Sequence, residues 1–121
     1  MTEKELDTLI REIATRCGWI RYHTFNSRRS PSGFPDLVLV KPPRVVFAEL
    51  KSGTGKPTPK QVEWLGLLSA CPGVETFLWR PDDLDDIARV LSPGYRTPPP
   101  PKGEQGVRGS RRSAVDAPAV G

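Results

Sequence analysis

The stretch that most limits what this chain can become is residues 34–51: Phe-Pro-Asp-Leu-Val-Leu-Val, then Lys-Pro-Pro-Arg, then Val-Val-Phe-Ala-Glu-Leu-Lys. Two apolar runs, 37–40 and 45–48, have the length and the Val, Leu and Phe content of strands. The break at Lys41–Arg44 is short enough for a hairpin-like turn, so the two strands are predicted to pair as neighbours. Asp36 then stands at the entrance of the first strand and Glu49 at the end of the second. Side chains two apart on a strand share a face, so Glu49 and Lys51 project together with the Leu50 carbonyl between them.

Two carboxylates and a carbonyl converging on one point make an oxygen site for a hard divalent cation such as magnesium. An adjacent ammonium can hold a water or offset charge on a phosphate. A plainer account sits beside this one. Asp after Pro often just starts a strand, and Glu-x-Lys is common at solvated strand ends. Spacing alone leaves both open.

The rest of the chain supplies a frame. Residues 3–17 are predicted as an amphipathic helix, with Thr2 as N-cap, Glu5 at the capping-box position and Leu6, Leu9, Ile10, Ile13 and Ala14 in one stripe. Gly18 is a helix stop. Residues 19–25 are aromatic and β-branched, which predicts a strand. His23 is the only histidine, and with no second metal-type residue nearby it is expected to be structural or on the surface. Residues 26–33 form a polar loop running into Asp36. Its Arg28 and Arg29, with Lys56 in a later loop, are the candidate contacts to nucleic-acid phosphates, or simply solvated charges.

After Lys51, the glycines at 53 and 55 are too few and wrongly spaced for a phosphate-binding P-loop. Thr58, Pro59 and Gln61 then give a capped helix start, with Gln61 as cap partner. Pro72-Gly73 ends that helix. Residues 74–79 are predicted as a strand, central or at an edge, and 82–91 as a last helix. The acids at 82, 83, 85 and 86 fall in its first turns, where carboxylates ordinarily complement the helix dipole rather than bind metal. From Ser92 the composition turns to Pro, Gly and Arg with little apolar to bury, so 93–121 reads as a disordered basic tail and 1–92 as the folded domain.

The layout is α-β-β-β-α-β-α, an α/β (α+β) chain with a mixed central sheet flanked by helices. The net charge of +4 suits a polyanionic partner. Cys17 and Cys71 lack metal spacing and are expected to be free, partly buried thiols in a reducing cytosol. No apolar stretch approaches ~18 residues, so no membrane span is expected. The residues after Met1 lack a signal peptide's apolar region, so secretion is not expected.

Pro35-Asp36, twelve intervening residues and Glu49-Leu50-Lys51 together resemble the PD-(D/E)XK nuclease signature. More narrowly, Gly33 through Leu39, Glu49-Leu50-Lys51-Ser52, and Thr58 with Gln61, Trp64 and Leu65 resemble the VRR-NUC family, over about residues 2–91. The resemblance implies a restriction-endonuclease-like fold and hydrolysis of DNA phosphodiester bonds with magnesium or manganese, on a structured or branched DNA in replication, repair or recombination. It implies Asp36, Glu49 and the Leu50 carbonyl as metal ligands, Lys51 as the catalytic cation and Gln61 as an active-site residue near water or phosphate. It also implies a helix-1 acid at the metal, best matched by Glu3, with Asp7 and Glu5 behind it. A phage or bacterial setting is implied in the same way. A domain this small offers little surface for choosing a substrate, so a homodimer or a replication and repair partner protein is the expected complement. The alternative is a non-catalytic nucleic-acid-binding module on the same fold.

Overall fold

A computed structural model of the chain describes residues 1–25 and 30–96. Arg28 and Arg29 lie outside the described residues, as does most of the expected tail. The elements are helix α1 (Glu3–Arg16), strands β1 (Ile20–His23), β2 (Leu37–Lys41) and β3 (Arg44–Leu50), helix α2 (Pro59–Ser69), strand β4 (Val74–Trp79), a 3-10 turn over Pro81–Asp83, and helix α3 (Leu84–Leu91). This is the predicted order.

The four strands lie in sheet order β1-β2-β3-β4, so β4 is at an edge. β1 runs antiparallel to β2, and β2 antiparallel to β3. The β2–β3 turn closes on the pair Lys41↔Arg44 around Pro42 and Pro43, whose peptide bond is cis. β3 and β4 are parallel, because α2 carries the chain back before β4 begins. Two short apolar runs thus become the middle of a mixed sheet.

Period-two alternation sorts β3 between two faces. Val46, Ala48 and Leu50 join the main core with Leu37 and Leu39 of β2, Phe77 and Trp79 of β4, and Leu6, Ile10 and Ala14 of α1. Ile87, Val90 and Leu91 of α3 close that layer. Fully burying a Leu or Ile side chain contributes roughly 1.5–3 kcal/mol, so the α1 stripe alone is a substantial anchor. The opposite face carries Phe47 and Glu49 and is approached by α2. Phe34 links the two, meeting Phe47 with ring centroids 6.0 Å apart and Trp64 of α2 at 5.1 Å, both edge-on.

Both expected N-caps form with full capping boxes: Thr2 with Glu5 on α1, and Thr58 with Gln61 on α2. The acids near α3 are used locally. Asp83 accepts the Arg80 main-chain N–H at 2.9 Å, and Asp86 pairs with Arg89. His23 lies 3.6 Å from Asp7, which Arg21 also holds at 2.6 Å. Cys17 is half-buried, whereas Cys71 is exposed rather than partly buried.

Packing also runs past Ser92, where the composition turns. The Tyr95 ring packs against the core, and the Arg44 guanidinium sits 4.8 Å from both the Trp19 and the Tyr95 ring centroids. Arg44 also pairs through two hydrogen bonds with the buried Glu75 and donates to the Val90 carbonyl. One aromatic residue among prolines and glycines is a weak compositional signal, so these contacts are not legible from the composition past Ser92. Among the described residues no helix is long and apolar enough to cross a membrane.

Candidate active site

The site is built where β2 begins and β3 ends. Asp36 is fixed twice. Its carbonyl accepts the Thr24 N–H at 2.8 Å, and its carboxylate accepts the Leu50 N–H at 2.9 Å. The second bond exists because β2 starts only at Leu37, so the end of β3 lacks a main-chain partner there and the Asp36 side chain takes its place. In an antiparallel ladder a residue turns its N–H and C=O to the same neighbour, so the Leu50 carbonyl faces the Asp36 edge as well.

Glu49 is 1% exposed. Its Oε2 lies 3.4 Å from the Lys51 Nζ, and its Oε1 is buried with no hydrogen-bond partner. Burial, and then the neighbouring Asp36 charge, push the Glu49 carboxyl up to about 8, with Lys51 pulling the other way. A buried carboxylate with an idle oxygen beside a second acid is costly to keep charged. A divalent cation removes that cost, and the donor set of carboxylates and a carbonyl is chemically matched to magnesium or manganese. These residues therefore fit a hard cation.

Glu3 stands apart from the pair. Its carboxylate accepts the Ser52 N–H at 3.2 Å, just beyond Lys51. Glu5 is occupied by the Thr2 cap, whose hydrogen bonds hold its carboxyl below the usual range, and Asp7 is held by Arg21. Of the three helix-1 acids, only Glu3 reaches the end of β3. Among the described residues, no three His, Cys, Asp or Glu side chains gather into a group that could hold a metal ion.

Gln61 serves its cap through Oε1, which accepts the Thr58 N–H at 2.8 Å. Its side chain also lines a groove of about 600 Å³ that Asp36 enters. The cap does not use the amide nitrogen. Lys56 is exposed on the loop that follows β3.

One contributor was missed in the sequence, and a second does more than its position there suggests. Arg80, just after β4, donates to the Ser52 carbonyl at 2.8 Å and the Gly55 carbonyl at 2.6 Å, tying down the loop that leaves Lys51. An arginine after a strand carries no local signal for such a bond, since its partners lie more than twenty residues earlier. Gly33 gives the loop before Asp36 backbone freedom, and it also gives space. Its φ is +94°, and a Cβ there would lie 2.6 Å from the Lys60 main chain. Only glycine lets the loop before Asp36 press against the start of α2.

No family model, curated protein or solved structure matches the chain.

Proposed function

We propose that the chain is a metal-dependent nuclease that hydrolyses DNA phosphodiester bonds, on a restriction-endonuclease-like version of the mixed sheet. One observation carries this: Glu49 is buried beside Asp36 and Lys51 with an unpartnered oxygen. Without a cation the carboxyl is relieved by keeping its proton at neutral pH, and a divalent cation would relieve it in the ionised form. A module that only bound nucleic acid would gain nothing from two acids facing a polyanion.

Asp36, Glu49 and the Leu50 carbonyl would hold magnesium or manganese, with Glu3 the helix-1 acid nearest to them. When bound, the cation supplies a Lewis acid that lowers the pKa of water and offsets charge on the phosphate. Lys51 places an ammonium beside Glu49, where it holds the attacking water or offsets charge developing in the transition state. Gln61 offers its amide nitrogen to water or phosphate oxygen from the groove wall. Arg28, Arg29 and Lys56 supply contacts to flanking phosphates. Replication, repair or recombination, with a second copy or a partner protein completing the substrate surface, is the setting that agrees with so small a domain.

The test is incubation of the purified chain with branched, nicked and linear DNAs, with and without magnesium or manganese, alongside Glu49→Gln. Metal-dependent cuts that vanish in the variant support the proposal. Tight DNA binding with no cleavage in any metal would move the chain to the non-catalytic class.

A further inference from the structure

We infer that the groove beside Asp36 takes an unpaired nucleobase by stacking, so that the substrate is a polynucleotide carrying a single-stranded segment next to the scissile phosphate. This rests on the nuclease proposal for its setting, but its own basis is the groove. The chain has nine aromatic residues, three Trp, two Tyr and four Phe. Four of them, Tyr22, Phe25, Phe34 and Trp64, line this one cleft together with Asp36 and Gln61. Phe34 and Trp64 pack edge-on against each other, and the Trp64 indole donates to the Ser32 carbonyl at 3.2 Å, which fixes the ring. Tyr22 and Phe25 are the outliers, 62% and 81% exposed. Neither is needed by the core, and both stand where an incoming ring would meet them.

The occupant follows from size and chemistry. A volume of about 600 Å³ lies in the range of small-ligand clefts, roughly 300–1,000 Å³, and is far too small for a duplex. Stacking on an aromatic side chain needs an open base face, which single strands offer and the interior of a duplex does not. The cleft is continuous with the carboxylate site, because Asp36 belongs to both. A base seated among these rings therefore leaves its own phosphate beside Asp36.

The probe is a short single-stranded oligodeoxynucleotide containing 2-aminopurine, with the blunt duplex of the same sequence as its comparison. Both are titrated against the full chain with calcium in place of magnesium or manganese, and again in chelator, so that a cation can shield Asp36 from the phosphate. Single-strand binding is expected to quench the 2-aminopurine, and Phe25→Ala or Tyr22→Ala to remove the quench and weaken affinity about tenfold, the scale of one lost base–aromatic stack. Thermal unfolding of both variants is expected to match the parent, since the rings are exposed. The inference is overturned if the single strand does not bind, if the duplex binds as tightly, or if quenching survives in both variants. It is also overturned if either variant changes the mass in solution, which would assign the rings to a second copy of the chain. Because no cleavage is read, these outcomes are separate from the nuclease test. A chain that never cuts DNA but loses its quench in Phe25→Ala keeps the groove and sheds the reaction.

Discussion

The Asp36 carboxylate accepts the main-chain N–H of Leu50 at 2.9 Å, so the first acid is fastened to the strand that carries the second. The bond turns a sequence spacing into a fixed separation. Neither acid can drift without disturbing the β2–β3 pairing.

Asp36→Asn and Glu49→Gln are expected to keep the fold and to lower metal-dependent cleavage by ~100-fold or more. Asn retains an oxygen for the Leu50 N–H, whereas Asp36→Ala forfeits that bond and is expected to cost about 1 kcal/mol, partly offset by relief of repulsion with Glu49. Lys51→Ala is expected to bind the cation but turn over ~100-fold more slowly. Calorimetry with magnesium or manganese, run beside a cleavage assay, separates loss of metal from loss of turnover. Wild-type rates in the two acid variants would remove the active site from this position.

Stability in chelator is expected to fall as pH rises from about 4.5 to about 8. Glu49 ionises near 8 in the fold and near its ordinary 4.5 when unfolded. Below that window both states hold the proton and the group contributes nothing. Inside it the unfolded chain releases a proton that the folded chain keeps, so the native state loses ground, and above it the loss is complete, of the order of a few kcal/mol. Glu49→Gln is expected to flatten this slope. Denaturant unfolding at a series of pH values measures it, and parallel slopes in parent and variant would place the buried proton elsewhere.

Arg80→Ala is expected to lower stability by about 1–3 kcal/mol by leaving the carbonyls of the loop at 52–55 without their charged donor. Amide hydrogen exchange after Lys51 should quicken while exchange in α1 does not. Uniform quickening would mean that Arg80 supports the whole domain rather than this loop.

Deletion after Ser92 is expected to lower the thermal midpoint by several degrees, because it removes Tyr95 from the Arg44 guanidinium, a contact of about 1–2 kcal/mol when partly desolvated. Deletion after Arg96 is expected to leave the midpoint unchanged. Equal midpoints for the two truncations would return the boundary to residue 92.

Local patterns in this chain were legible for physical reasons. Capping boxes at Thr2 and Thr58 are short-range, and so are the apolar runs of β2 and β3 and the apolar stripe of α1. Each can be read from residues within a few positions of one another. The pairing of Asp36 with Glu49 was legible because a tight turn at 42–43 leaves one register. What was not legible depends on distant partners. Nothing near Arg44 announces Trp19, Glu75 and Tyr95, and nothing near Trp64 announces Phe34. The edge position of β4 is likewise set by where α2 delivers the chain, not by the composition of 74–79, which is apolar enough for a central strand.

The burial of α1 against α3 has a consequence for the order in which a ribosome delivers this domain. Helix α1 carries the stripe of Leu6, Ile10 and Ala14, yet part of its cover, Ile87, Val90 and Leu91, is translated only after all four strands. The contacts of the β2–β3 hairpin are local, so every residue they need has been made once Leu50 is translated. The stripe cannot be fully covered so early, and the side that α3 will close stays open to chaperones or to unwanted neighbours until the last helix is made. Slow translation of residues 50–90 would lengthen that exposure. The soluble yield of this chain should therefore respond to codon choice in a stretch that contributes nothing to the stripe itself.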